Sequence, residues 1–260
     1  MLRRMVRRID LALLPSEAEA IPADCYVVVD VLRATTTIAV LFDRGLRDLV
    51  AVDDIDAARA RAATEGRLLF GEVGGLTPAG FDHGNSPVEA SGLDLRGRRA
   101  VLFTTNGTRA LCAVAGRGAV FAGALVNRAA IVDAASAFDR VCFVCAGTEE
   151  GRRFALEDFA AAAALVQGLA RAHPGAETGD AAGLAMEVPG YEEWIAPSLP
   201  QRVRGRSTRF LAGSEHGRAL ARIGLAADIN VAAQDDVSRA VPRVVEAGPG
   251  WARIEERSRH

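Results

Sequence analysis

The sequence predicts an α/β fold of three layers, in which helices cover both faces of a mostly parallel or mixed sheet. Short apolar runs rich in Val alternate with longer segments of helical periodicity, which is the pattern of strand–helix–strand units. The chain has 260 residues, and 50% of them are hydrophobic, enough to bury a sizeable core. Loops rich in Gly, Asn and Thr follow several of the apolar runs, as expected where parallel strands end.

The elements follow from these alternating patterns. The predicted strands are 25–31, 48–52, 67–70, 100–103, 119–122 and 140–145, with a terminal hairpin of 241–246 and 251–254. The predicted helices are 34–44, 55–65, 107–115, 155–172, 181–186, 192–196 and 206–223. We expect one domain over residues 1–260, with any break between two closely packed subdomains at the loop 173–180.

The charged residues limit the chemistry that the chain can perform. The formal net charge is -2, so the balance does not favour nucleic acid as a partner. All 31 basic residues are Arg, which excludes a Schiff-base lysine and a P-loop lysine. A bound anion must therefore be held by Arg, a metal ion or a helix N-terminus. No signal peptide or membrane-spanning run is apparent, so we expect a cytoplasmic protein with no membrane partner.

Cysteine and histidine do not form a recognisable metal or nucleophile motif. The four cysteines lie in apolar stretches and are predicted to be reduced core residues. Cys142 and Cys145 have C-x-x-C spacing, but on a strand these positions face opposite sides. We expect His173 to lie at the surface.

Two polar clusters follow predicted strands in the first third of the chain. Asp30 ends the first apolar strand and Arg33 precedes a helix, so the pair can hold a metal and a phosphate or simply form an internal ion pair. Glu72 ends a later strand, at the start of a long glycine-rich loop. Asn85 and Ser86 close that loop before a proline, as a functional pair or as a plain helix cap.

Two further clusters lie at later strand–helix junctions. Asn106, Gly107 and Thr108 begin a helix, where backbone N–H groups and a hydroxyl can cradle a phosphate. Glu157 and Asp158 are adjacent near another helix start, where one can bind Mg²⁺ while the other takes a proton. The alternative is that these two acids only interact favourably with the helix dipole.

Together these motifs resemble the 2-phosphosulfolactate phosphatase family. The matching segments are VVVDVLRATTTIA, GE-x-x-G with GFD-x-GNSP, TTNGT-x-A, and CAGT with LEDF, in the family's order. A late S-x-HG with Leu220, Gly224 and Asp228 also fits, so the likeness runs from about Cys25 to Pro242.

The resemblance implies Mg²⁺-dependent hydrolysis of 2-phosphosulfolactate to 3-sulfolactate and phosphate, a step of coenzyme M biosynthesis in methanogens. From residue chemistry we assign catalysis to Asp30, Glu72 and Asp158, and metal binding to those three with Glu157. Phosphate binding is assigned to the other motif residues, which are Arg33, Asn85, Ser86, Asn106, Gly107 and Thr108. Arg109, Arg128 and Arg152 are candidates for the substrate's second acidic group. The expected partner is a small anionic phosphate ester, and the prediction allows a homo-oligomer.

Two other functions fit parts of the pattern. A haloacid-dehalogenase-type phosphatase would use Asp30 as nucleophile, but it requires a second Asp where this chain has Leu32. A non-catalytic anion-binding protein could use the same helix N-termini. The clustered carboxylates disfavour it, because acids repel an anion unless a metal lies between them.

Overall fold

The computed structural model describes residues 5–188 and 206–257. The strands are β1 (Arg8–Ala12), β2 (Cys25–Val29), β3 (Asp48–Val52), β4 (Leu68–Gly71), β5 (Arg99–Phe103), β6 (Ala119–Gly123), β7 (Arg140–Cys145), β8 (Glu177–Thr178), β9 (Pro242–Gly248) and β10 (Trp251–Glu256). The α-helices are α1 (Ala34–Asp43), α2 (Ile55–Glu65), α3 (Pro87–Ser91), α4 (Gly107–Val114), α5 (Arg128–Ala135), α6 (Leu156–Ala172), α7 (Asp180–Glu187), α8 (Arg206–Gly213), α9 (Glu215–Arg222) and α10 (Ala226–Ala232).

Local sequence accounts for many of these boundaries. β2 is a run of β-branched and aromatic residues and is buried along its whole length, as expected of a central strand covered on both faces. Asp54 caps α2 by accepting from Ala57 N–H, and Gly66 ends that helix in the left-handed conformation. Ser86 caps α3, with Pro87 at its first position.

The strands form one mixed sheet of ten strands in the order β4-β5-β3-β10-β9-β6-β2-β7-β1-β8. One parallel group contains β1, β2, β6, β7 and β8, and the other contains β3, β4 and β5. The antiparallel hairpin β9–β10 joins the two groups through β6 and β3. The predicted hairpin is thus confirmed, and it occupies the middle of the sheet.

Helices cover both faces of this sheet, so the three-layer α/β prediction is confirmed. One core contains Val27, Phe143 and Leu165 beneath α5, α6 and α7. The opposite core contains Tyr26, Val28 and Leu111 beneath α1 and α4. Cys145 belongs to the first core and Cys142 to the second, which confirms that the C-x-x-C pair faces both sides of its strand.

The structure also corrects several predicted elements. The elements β1, α5 and α10 were not predicted, and the helix expected over 206–223 is two helices separated at Ser214. Ser214 caps the second helix by accepting from Gly217 N–H, so the backbone turns there. His173 is 5% exposed, not a surface residue, because it packs under the N-terminal segment and accepts from Val6 N–H. The helix predicted at 192–196 lies outside the described residues.

The segment 173–180, expected to be a loop, contains β8, which pairs with β1. A subdomain break there stays a prediction. Among the described residues, every helix is too short or too polar to cross a bilayer.

Candidate active site

The predicted site residues come together where β2, β4, β5 and β7 end. Asp30 follows β2 directly and is 6% exposed. Its Oδ1 accepts from the Ala34 N–H at 3.2 Å, at the start of α1. Its Oδ2 faces Gly107, where an added Cβ would overlap the carboxylate and lie 2.5 Å from the Ala34 Cβ. Glycine is therefore required at position 107 by the close approach of Asp30.

Two adjacent acids at the start of α6 complete one side of the site. Asp158 is 2% exposed, and its two oxygens accept from Val31 N–H at 2.9 Å and Gly147 N–H at 3.1 Å. These bonds join the segments that follow β2 and β7. Glu157 is also buried, and within the described part of the chain its side chain has no hydrogen bond or ion pair. Asp158 is therefore held by the backbone, whereas Glu157 is left to interact with a ligand.

Glu72 anchors the glycine-rich loop to the end of β5. Its Oε2 accepts from Gly75 N–H at 2.7 Å, and its Oε1 accepts from Thr105 N–H at 2.8 Å. The Glu72 carboxylate therefore fixes two of the predicted motifs relative to each other.

Arg33 lies in a buried network with an acid from the C-terminal helices. Its Nη1 is 2.7 Å from Asp228 Oδ2, and both side chains are 2% exposed. Its Nη2 donates to the Gly75 carbonyl at 2.8 Å. Asp228 Oδ1 also accepts from the Ser86 hydroxyl at 2.6 Å and from Val88 N–H at 3.3 Å. Asp228 thus ties α10 to the first two motifs.

The remaining predicted phosphate-binding residues have mixed environments. Asn106 accepts through Oδ1 from Glu150 N–H at 2.9 Å, which links the β5–α4 and β7–α6 connections. Thr108 is fully buried, and its N–H and hydroxyl both contact Thr104. Asn85 is 3% exposed, and its Oδ1 has no hydrogen-bond partner among the described residues. An orphaned buried oxygen of this kind requires a donor or a cation. The assignment of these residues to phosphate binding stays a prediction.

Burial and mutual repulsion perturb the acids of this site. Desolvation raises the pKa of Asp30 to about 7, and the charges of Glu72 and Glu157 add to it, against the opposing N–H of Ala34 and charge of Arg33. Desolvation also raises the pKa of Asp158 well above its usual value, and Asp30 and Glu157 contribute. The site therefore contains more buried negative charge than its own cation compensates, and such perturbed acids cluster at functional sites.

This donor set fits a hard divalent cation. Among the described residues, no three acidic, His or Cys side chains converge as a ready-made metal cage. Mg²⁺ does not require one, because it keeps several waters and is usually bound through one or two carboxylates and a substrate phosphate. The mutual repulsion of Asp30, Glu157 and Asp158 is what such an ion would relieve.

Sequence reasoning did not single out Asp228 as a site residue. An acid in the first turn of a helix is ordinary, so only its contacts with Arg33 and Ser86 reveal its role. Two arginines suggested for a second anion are paired elsewhere: Arg128 with Asp235 and Asp236, and Arg152 with Glu150.

The cysteines are unsuited to nucleophilic catalysis. Burial raises the pKa of Cys142 to about 12 and that of Cys145 well above its ordinary value. Both thiols therefore stay protonated at neutral pH, and a thiolate route is unavailable.

The fold and site together define an α/β protein in which buried carboxylates, an arginine and a helix N-terminus converge at strand ends, as in hydrolases of phosphate esters. The chain belongs to the 2-phosphosulpholactate phosphatase family, whose model matches residues 12–247. The resemblance seen in the sequence motifs is thereby confirmed.

Relatives with the same description cover nearly the same region. A probable 2-phosphosulfolactate phosphatase of Deinococcus radiodurans is 40% identical over 227 residues, covering 85% of this chain and 88% of the relative. A protein of the same description from Synechocystis sp. is 34% identical over 230 residues, covering 86% and 90%. Another from Carboxydothermus hydrogenoformans is 33% identical over 237 residues, covering 90% and 92%.

Proposed function

We propose that this chain is a Mg²⁺-dependent phosphatase that hydrolyses 2-phosphosulfolactate to 3-sulfolactate and phosphate. The observation that supports it most is the group of buried acids around Asp30, set beside Arg33 and the start of α4. The choice of substrate rests on membership of the family. The assignment of hydrolysis rests on the group of acids, because phosphate hydrolysis requires charge neutralisation and a proton acceptor.

Each acid is assigned a task from its contacts. Asp30 is buried beside the start of α4, so it is the group suited to hold Mg²⁺ and to orient the attacking water. The water oxygen bonds to phosphorus and the ester P–O bond breaks; the attacking water releases one proton to solvent, and the leaving oxygen takes up one proton from solvent. Glu72 and Asp158, each held by two backbone N–H groups, keep the strand ends in place around the reacting phosphate.

The phosphate needs positive charge that the acids alone cannot give. Arg33 has donors beyond those used by Asp228 and Gly75, and the N-terminus of α4 lies beside Asp30. Mg²⁺, held by Asp30 with Glu157 or Asp158, would neutralise phosphate charge and lower the pKa of a bound water.

The test is phosphate release by the purified protein from a panel of esters. The panel contains 2-phosphosulfolactate, phosphoglycolate, a sugar phosphate and a nucleoside monophosphate, each assayed with Mg²⁺ and with EDTA. We expect the highest kcat/KM for 2-phosphosulfolactate and loss of turnover in EDTA that added Mg²⁺ restores.

The outcomes separate the parts of the proposal. Undiminished turnover in EDTA would refute the metal requirement, and a preference for the nucleotide would refute the substrate. Asp30→Asn is expected to lower kcat about a hundredfold or more, the scale of losing a catalytic charge. Cys142→Ser, a buried residue outside the acidic site, serves as the matched control and is expected to retain turnover.

A further inference from the structure

A pocket adjoins the acidic site. It is a cavity of about 600 Å³ between α9 and the connection that leads from β7 into α6. Glu157 lines it, and the same residue raises the pKa of Asp30 and Asp158 by its charge. The pocket therefore reaches the acidic site at Glu157, one of the carboxylates assigned to metal binding, and its volume is in the range of small-molecule sites.

One wall of the pocket presents arginines on a single helix face. Arg218 and Arg222 are four residues apart on α9, so both side chains project from the same side of the helix. Leu220 lies on the opposite, buried side, which holds the helix against the core. The orientation of α9 thus directs two guanidinium groups toward the cavity that Glu157 also lines.

Two of the three acids that line the pocket are engaged with a different arginine, and the third is Glu157 of the acidic site. Arg153 pairs with Glu149 at 3.2 Å and with Glu215 at 2.9 Å, which fastens the β7–α6 connection to α9. Within the described residues, Arg218 and Arg222 have no acidic partner, although Arg218 donates one N–H to the Gly213 carbonyl. Two guanidinium groups are therefore available to an anion, with the planar fork that suits carboxylate and sulfonate oxygens.

We propose that this pocket is the subsite for the substrate's non-phosphate acid groups, with Arg218 and Arg222 as the residues that recognise the sulfonate or carboxylate. The inference rests on the proposed function, since the phosphate of the same substrate must lie at the neighbouring acids. It assigns substrate choice to α9 and replaces Arg128 and Arg152 in that role.

The experiment compares two substrates and one product on a double variant, Arg218→Gln with Arg222→Gln. Glutamine keeps much of the side-chain stem, so packing changes little while the charge is lost. The substrates are 2-phosphosulfolactate and glycerol 2-phosphate, which lacks a second acid group. Binding of 3-sulfolactate is measured by calorimetry, independently of turnover. Arg98→Gln, an exposed arginine before β5, is the matched control.

We expect kcat/KM for 2-phosphosulfolactate to fall about ten- to a hundredfold because KM rises, the size expected for lost charge-assisted hydrogen bonds. The kcat/KM for glycerol 2-phosphate should change less than about twofold. Affinity for 3-sulfolactate should fall by a similar factor. An equal fall in kcat/KM for both substrates, or no fall for either, would refute the assignment of the subsite. If the wild type failed to hydrolyse 2-phosphosulfolactate, the proposed function would fail, whereas the 3-sulfolactate isotherms would still decide the subsite.

Discussion

Substituting Asp228 by Asn tests the buried network that connects the C-terminal helices to the acidic site. The change removes one charge of an ion pair in which both side chains are 2% exposed, and it keeps the shape of the side chain. Arg33 would then be a buried cation without its carboxylate, while the bonds from Ser86 and Val88 N–H could still form. Breaking one half of a buried pair costs about 3–5 kcal/mol, because the remaining charge stays desolvated.

That loss is large compared with the stability of a typical domain, about 5–15 kcal/mol, but it should leave the protein folded. It corresponds to a fall in Tm of about 6–20 °C, at about 2–4 °C for each kcal/mol in chains of this size class. The assay is urea unfolding monitored by circular dichroism. The urea concentration at the midpoint and the dependence of the unfolding free energy on urea are compared between variant and wild type. The control is Asp94→Asn, which breaks the exposed pair with Arg96 and should leave the midpoint unchanged.

A double variant, Arg33→Met with Asp228→Asn, isolates the pair when it is compared with Arg33→Met alone and Asp228→Asn alone. Since both charges are removed together, its loss should be smaller than the sum of the two single losses, with a coupling energy of about 1–3 kcal/mol. If Asp228→Asn costs less than about 1 kcal/mol, or if the two single losses simply add, the buried pair does not hold α10 against the site and the reasoning is wrong.

Three other outcomes follow from the site. Gly107→Ala should lower the free energy of unfolding by about 1–3 kcal/mol and lower kcat, because the new Cβ displaces the Asp30 carboxylate. Gly175→Ala, whose Cβ would meet open space, is the control in the unfolding and turnover assays. In EDTA, the free energy of unfolding should fall as pH rises from about 4 to about 7. In this range folded Asp30, with its pKa raised to about 7, keeps a proton that an unfolded aspartate with a pKa near 3.9 releases. A free energy of unfolding that does not change with pH would contradict this. Mg²⁺ should raise Tm more at pH 8 than at pH 5 in wild type, and Asp30→Asn should remove most of that difference; an undiminished difference would exclude Asp30 as a ligand.

The local pattern of the sequence determined most elements and the positions of the polar clusters. The bounds of β3, α2 and β7 were predicted to the residue, because β-branched runs and helix caps act within a few residues. The same local signals placed Asp30, Glu72 and Glu157 at strand and helix ends. Elements without a strong apolar period or cap, such as α10, were not predicted.

Only the tertiary structure decided that these clusters meet. Three antiparallel pairings, β6–β9, β9–β10 and β10–β3, separate the two parallel groups, so the strands of the two groups run in opposite directions. The end of β5 nevertheless reaches the end of β2, where Gly107 contacts the Asp30 carboxylate. A twist of about 20–25° for each strand pair accumulates across the intervening strands, and the irregularity between Arg253 and Ile254 adds a local bend.

The pairing of Arg33 with Asp228 was equally beyond the sequence, because the two residues lie 195 positions apart. Arg33 was assigned to the site from its motif, but Asp228 alone looks like an ordinary acid near a helix start. Their meeting depends on where α10 packs, and Ile229 and Ala232, rather than any local signal, hold that helix in the core. The sequence thus determined which chemical groups are available, and the packing of distant segments determined which of them face one another.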